Sequence, residues 1–297
     1  MIKDIAEMIH AAKQSKTNPL VVVMANDEPV LKAIKAAHEE DLVNAVLIDD
    51  KDALIQSMTA LGMDPDHYTL INESDKVKAC ERAVEEVRKD PQAILMKGMV
   101  DTSTILRAAL NKEAGLRTMN RLSHITVLET KNYHKLLLMS DGAMNIAPDA
   151  TIKREIIENA VEVASSLGIT PANVGIIAAV EKVNDKMQAT LDAKALKETP
   201  IEGAVMDGPF ALDNAIDKEA AKHKGIDSAI AGDVDILLMP SIETGNVFYK
   251  AMMFLCNARS ASLIAGATHP IVLTSRADSF ETKFHSIALA ALHAASK

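Results

Sequence analysis

LVVVMANDEPVLKAIKAAHEE (20–40) holds the pattern that decides the fold: a short apolar run, two polar residues, then an amphipathic stretch. Leu20–Ala25 is continuous and Val-rich, as a strand buried on both faces requires, and from Glu28 the apolar residues fall at helical spacing. The same phrase returns three times. NAVLIDD (44–50) precedes KDALIQSMTALG (51–62), whose Gly62 suits a helix stop. YTLIN (68–72) precedes a helix from about Ser74, with Val77, Cys80, Val84 and Val87 on one face. AILMKG (93–98) leads into a helix through Ile105, Leu106 and Leu110. Strands of this kind alternating with helices predict an α/β fold with a parallel sheet covered on both faces.

Further along the rhythm changes. SHITVLET (123–130) and KLLLMSD (135–141) are separated by only a few polar residues, too few for a parallel crossover. They are expected to be antiparallel or to lie in separate sheets, which makes 131–134 the candidate domain boundary. A long helix, TIKREIIENAVEVASSLG (151–168), follows, and then strands at NVGIIAAV (173–180), AVMDGP (204–209) and DILLMPSI (235–242). SLIAGA (262–267) and PIVLTS (270–275) again lie close together, as expected where the chain crosses back. The last helix should then pack with the N-terminal half. The expected organisation is one α/β domain of 1–133 plus 269–297 and a second of 134–268.

Apolar residues at 48% and charged residues at 25% permit a sizeable core and argue against disorder. The net charge of −9 argues against nucleic acid as a partner, though a few cations and helix N-termini can still hold a small anion. Cys80 and Cys256 lie far apart, without a CxxC pair, and read as small core residues of a protein in the reducing cytoplasm. MIKDIAEMIHAAKQS (1–15) reads as a charged amphipathic helix, neither signal peptide nor membrane span. Phosphate-binding GxxxxGK[ST], dinucleotide GxGxxG, GxSxG and HExxH are all missing. His285 and His293 sit two turns apart on one helix and read as packing or surface residues, so no metal site is expected.

In parallel sheets ligands bind beyond the carboxyl ends of the strands, and five polar clusters fall there. Lys97-Gly98-Met99-Val100-Asp101-Thr102-Ser103 offers a tight turn at Gly98, Thr102 or Ser103 as a helix cap, and N–H groups for a phosphate. Ser140-Asp141-Gly142-Ala143-Met144-Asn145 places Asp141 and Asn145 to orient a substrate or to bond their own backbone. Asp207-Gly208-Pro209 can serve a substrate or simply form a turn. Glu243-Thr244-Gly245-Asn246 is followed a turn later by Lys250. In Ser275-Arg276-Ala277-Asp278-Ser279, Arg276 is a bidentate donor suited to phosphate, and Asp278 is either a base or a helix cap.

Together these segments resemble the phosphate acetyl/butyryltransferase family, and its shorter, butyryl-transferring branch most closely. The resemblance covers nearly the whole chain. It rests on KGMVDTSTILRAAL (97–110), SDGAMNIAPD (140–149), IIAAVEKVNDKMQATLDA (176–193), DGPFALDNAI (207–216), SIETGNVFYKA (241–251) and PIVLTSRADS (270–279), in that order. It implies two α/β/α domains with an interdomain cleft, like isocitrate and isopropylmalate dehydrogenases, and a homodimer or higher homo-oligomer. The implied reaction is acyl-CoA plus phosphate giving acyl phosphate plus CoA, with coenzyme A as substrate and no cofactor or metal. Ser275 and Arg276 map to the reaction centre. The acetyl branch carries a catalytic Asp about a turn further on, where this chain has Thr282; Asp278, Glu281 or another residue is then the candidate base.

The chemistry that follows assigns phosphate binding to Arg276 with N–H groups of the 97–103 and 275–279 turns. Ser275 or backbone N–H groups would meet the developing oxyanion, and Asp278 would take the thiol proton. Lys97, Gly98, Thr102, Ser103, Asp141, Asn145, Asp207, Asn246 and Lys250 are the expected substrate-binding residues. Acetyl-CoA is the alternative substrate. A metal- and NAD-dependent dehydrogenase on the related fold and a non-catalytic CoA sensor are alternatives of other classes.

Overall fold

In a computed structural model, which describes residues 1–275 and 277–297, the chain is a mixed α/β protein. Its first part runs α1 (Ile5–Gln14), β1 (Asn18–Val23), α2 (Glu28–Glu39), β2 (Val43–Asp49), α3 (Lys51–Ala60) and β3 (Thr69–Asn72). Then come α4 (Lys76–Val87), β4 (Ile94–Lys97), α5 (Thr102–Ala109), β5 (Ser123–Glu129), β6 (Leu137–Ser140) and α6 (Ala150–Ser166). β7 (Ala172–Ile177), α7 (Gln188–Lys197), β8 (Ala204–Phe210), α8 (Leu212–Ile216) and α9 (Lys218–His223) follow. The chain ends with β9 (Ile236–Leu238), α10 (Ile242–Phe254), β10 (Arg259–Ala265), β11 (Ile271–Val272) and α11 (Phe280–Ala295).

Side-chain caps start several helices where the sequence places an acid before the periodic stretch. Asp50 accepts the Ala53 N–H at 2.9 Å, Asp75 the Lys78 N–H at 2.9 Å and Asp149 the Ile152 N–H at 2.8 Å. Each satisfies a donor that the first helical turn would otherwise leave open.

Two compact units result. One comprises Ala6–Asn120 and Ala261–Lys297, with strand order β3-β2-β1-β4-β11-β10. β1 pairs in parallel with β2 and β4, and β4 in parallel with β11. The other comprises Met1–Ile5 and Arg121–Ser260, with order β5-β6-β9-β7-β8; β6, β9, β7 and β8 are mutually parallel. The parallel strands are fully apolar at their centres: Leu20–Val23 and Ile94–Met96 are buried throughout. α11 packs on α2, so the last helix does join the N-terminal half.

Three expectations need correction. The units divide at 120/121 and 260/261, not at 133/134 and 268/269. The polar residues 131–134 are a hairpin connection, since Thr126, Val127 and Leu128 pair antiparallel with Met139, Leu138 and Leu137. The second boundary moves for the same reason, because Ile264 on β10 pairs antiparallel with Ile271 on β11. Asp207-Gly208-Pro209 lies inside β8 and is not a turn; the register between β7 and β8 shifts there to accommodate it. Cys80 is a core residue whose thiol burial pushes up to about 11, with the Glu81 charge adding to it, but Cys256 is exposed just beyond α10. His285 and His293 are both buried in α11; burial, with the Lys297 charge, pushes His293 down to about 3. No helix among the described residues is long and apolar enough to cross a membrane.

Candidate active site

The turn after β4 is built against the end of β1. Gly98 N–H donates to Val23 O at 2.8 Å and Met99 N–H to Met24 O at 2.7 Å. A Cβ on Gly98 would stand 2.0 Å from the Met24 carbonyl oxygen, so no larger residue fits this approach. Lys97 is buried, and its ammonium donates to the carbonyls of Gly98 at 3.1 Å and Val100 at 3.4 Å. The expected cap moves by one residue: Asp101 takes the N-cap position of α5, without a side-chain cap bond, and Thr102 and Ser103 are exposed in the first helical turn.

The turn after β11 carries Ser275, Arg276 and Asp278. Arg276 itself lies outside the described residues. Ser275 N–H donates to Asp278 Oδ2 at 2.7 Å, Asp278 N–H to Ser275 O at 3.2 Å and Ala277 N–H to Ser275 Oγ at 3.3 Å. Asp278 therefore closes its own turn, and the helix cap is Ser279, whose Oγ accepts the Thr282 N–H at 3.2 Å. Lys283, a turn into α11, donates to Ser275 O at 3.0 Å and Asp278 O at 2.8 Å. The Ser279 hydroxyl, with the Glu281 N–H and the His285 charge, holds the Glu281 carboxyl below the usual range, which weakens it as a base. Thr282 is buried.

These two turns leave the same end of one sheet. β4 and β11 are parallel neighbours, with Leu95 opposite Ile271 and Met96 opposite Val272, and each strand feeds a helix. Lys97, Gly98, Thr102 and Ser103 thus share one strand-end region with Ser275 and Asp278. Helix starts of this kind can hold an anion.

In the other unit, β6 and β9 end side by side, with Ser140 opposite Leu238. Asp141 is buried and accepts four bonds from its own turn: Ala143 N–H at 2.8 Å, Met144 N–H at 3.0 Å, Asn145 N–H at 3.3 Å and Asn145 Nδ2 at 2.7 Å. Of the two readings of this cluster, the geometry favours backbone bonding. Asn246 Nδ2 donates to Gly142 O at 3.2 Å, tying the start of α10 to the same turn, and Gly245 sits where a Cβ would lie 2.4 Å from Asp141 O. Lys250 is exposed one turn beyond Asn246. Asp207 stands apart on β8, with β7 and β9 between it and β6. Burial pushes its carboxyl up, but bonds from Lys197, the Ser228 hydroxyl and the Gly208 N–H outweigh this and leave it below the usual range.

Sequence reasoning missed Lys283. The signal was available, since Lys283, Ile287, Ala290, Ala291 and Ala294 share one buried helical stripe. A lysine on an apolar stripe is read by default as snorkelling to solvent. Among the described residues no group of three or more His, Cys, Asp or Glu is arranged to hold a metal ion.

Residues 76–291 match the family model described as phosphate acetyl/butaryl transferase. The chain is 44% identical over 301 residues to the phosphate butyryltransferase of Clostridium acetobutylicum, covering 100% of both. It is 39% identical to the phosphate acetyltransferase of Thermotoga maritima, over 95% of this chain and 97% of that one. The crystal structure of a branched-chain phosphotransacylase from Enterococcus faecalis superposes with a TM-score of 0.84 at 32% identity, covering 94% of this chain and 99% of that one. With those matches and the two strand-end turns in place, the chain belongs to the phosphate acetyl/butaryl transferase family.

Proposed function

We propose that this chain moves a short acyl group, butyryl by preference, between coenzyme A and inorganic phosphate. The observation that carries this reading is the pair of helix-opening turns on the neighbouring strands β4 and β11, with Ser275 and the start of α5 at the same end of the sheet. Phosphate is held by Arg276 with those N–H groups of the 97–103 and 275–279 turns that the fold does not itself use; Gly98, Met99, Ser275, Ala277 and Asp278 donate theirs within the protein. A phosphate oxygen attacks the thioester carbonyl carbon, the oxyanion draws on Ser275 or backbone N–H groups, and the C–S bond breaks to release the CoA thiolate. Transfer is direct, in a ternary complex, and coenzyme A is a substrate; no further cofactor takes part. Asp141, Asn145, Asp207, Asn246 and Lys250 are assigned to substrate binding. Asp141 serves by holding its turn, through the bonds it accepts there.

The experiment is thiol release from butyryl-CoA with and without inorganic phosphate, followed by acetyl-CoA at equal concentration. Release that depends on phosphate and is faster with butyryl-CoA is the expected result. A faster rate with acetyl-CoA would make the enzyme a phosphate acetyltransferase, and release indifferent to phosphate would remove the reading.

Asp278 is the base that takes the thiol proton in the CoA-acylating direction. Asn at 278 still offers an oxygen to the Ser275 N–H, so Asp278→Asn separates proton transfer from turn geometry. The expected loss is about 10²-fold in that direction, with a flattened acidic limb of the pH–rate profile. A profile that matches the parent would leave Asp278 as a turn residue only.

The two units are assigned as the two α/β domains of a fold related to isocitrate and isopropylmalate dehydrogenases. The enzyme is assigned as a cytosolic homodimer or higher homo-oligomer. Val247, Phe254 and Leu255 on and just after α10 are 67%, 74% and 81% exposed and offer apolar surface for a second copy of the chain to cover. A sedimentation mass of 31.9 kDa at working concentrations would overturn the oligomer.

A further inference from the structure

α11 begins with a cation where its buried stripe should be apolar. Lys283 is 3% exposed. Burying an ammonium is costly, and a positive charge in the first helical turn also opposes the helix dipole. Burial pushes its pKa below the ordinary lysine range, while the carboxylates of Asp278 and Asp27 pull it back up. Both hydrogen bonds it makes end on main-chain carbonyls, Ser275 O and Asp278 O, where a carboxylate would have offset more of the burial. Stability alone does not select a lysine at this position.

Those two carbonyls bracket the turn that follows β11. With the Asp278 carbonyl turned toward Lys283, the planar peptide that follows must aim the Ser279 N–H the opposite way. From the other side the Asp278 carboxylate receives the Ser275 N–H. The turn is thus clamped twice, by a cation on its carbonyls and by a carboxylate on an amide. The neighbouring strand repeats the device: Lys97, 6% exposed, ends on the carbonyls of Gly98 and Val100 in the turn after β4.

We propose that Lys283 is a positioning residue for acyl transfer, holding the Ser275–Asp278 turn so that the Ser275 hydroxyl and the Ser279 N–H face the substrate. The inference rests on the assignment of Ser275 to the reaction centre above, and it concerns a residue outside the Ser-Arg turn itself. A misplacement of about 1 Å in such a turn costs on the order of 10²-fold in rate.

The test compares Lys283→Met and Lys283→Arg in the full chain, with circular dichroism confirming the fold. Lys283→Met should lower kcat for phosphate-dependent thiol release by roughly 30-fold while KM for acyl-CoA moves less than about threefold. Lys283→Arg, which keeps charge and donors, should recover about tenfold of that loss. Amide hydrogen exchange in a peptide spanning 272–284 should quicken in the Met variant and return toward the parent rate in the Arg variant. Unchanged kcat in folded Lys283→Met, or an Arg variant no better than Met, would overturn the proposal. If Lys283→Met does not fold, Lys283→Gln is read by the same criteria. If the parent itself shows no phosphate-dependent release, the functional reading fails separately; unchanged exchange then overturns the clamp, and quickened exchange supports it.

Discussion

Arg276→Ala should lower phosphate-dependent thiol release by about 10³-fold while leaving thermal stability within about 2 °C of the parent. The argument begins with charge. The whole chain carries −9, so its overall field repels a phosphate dianion, and the local site must supply the compensating cation. Of the basic residues in KGMVDTS and SRADS, Lys97 directs its ammonium at the carbonyls of Gly98 and Val100. Lys283 is likewise committed to Ser275 O and Asp278 O. That leaves Arg276 as the assigned bidentate partner of phosphate, a role that a guanidinium fork fills better than any other side chain. The loss should appear both in the KM for phosphate and in kcat, because the same fork meets the charge that develops as the P–O–C bond forms. Arg276→Lys should fall between parent and Ala, keeping charge without the fork. Near-normal turnover in Arg276→Ala would move phosphate binding to another residue.

What the sequence disclosed and what it hid follow from the range of the forces involved. LVVVMA and AILM were legible as buried parallel strands, because an apolar run next to a helical period is a local pattern, and both are central strands of one unit. The antiparallel option for 123–130 and 135–141 was legible too, from the length of the connection alone. The domain boundary was misplaced because a polar gap such as 131–134 looks the same whether it links two domains or turns a hairpin. Only the pairing of Thr126 with Met139 decides between them. Asp207-Gly208-Pro209 has the composition of a turn, yet tertiary pairing with β7 keeps it in a strand. Asp141 and Asn145 were legible as either substrate-orienting or bonded to their own loop, and only the fold shows the second. Lys283 stood on a legible apolar stripe but reads there as a snorkelling lysine, and its two carbonyl partners come only with the fold.

Gly98→Ala tests the same site through its backbone, with the second large expected effect. The residue is not required for a left-handed conformation; what excludes a side chain is space. An added Cβ would lie 2.0 Å from Met24 O, 2.7 Å from Met24 C and 2.8 Å from Val23 O, all main-chain atoms that cannot rotate away. Relief requires moving the turn off the end of β1, which breaks the Gly98–Val23 and Met99–Met24 bonds of 2.8 and 2.7 Å. Overpacking with two lost buried hydrogen bonds should cost about 3–5 kcal/mol, or roughly 6–15 °C in Tm for a chain of this size. Activity should fall further than the folded fraction does, since the turn that moves is the one assigned to phosphate. Gly225→Ala is the control. Gly225 has φ +66° but nothing within 4 Å of a Cβ, so it bears the left-handed strain alone, about 1 kcal/mol. A Gly98→Ala variant that melts with Gly225→Ala would mean that β1 and the turn can separate without cost. The rigid backing inferred for the phosphate site would then be wrong.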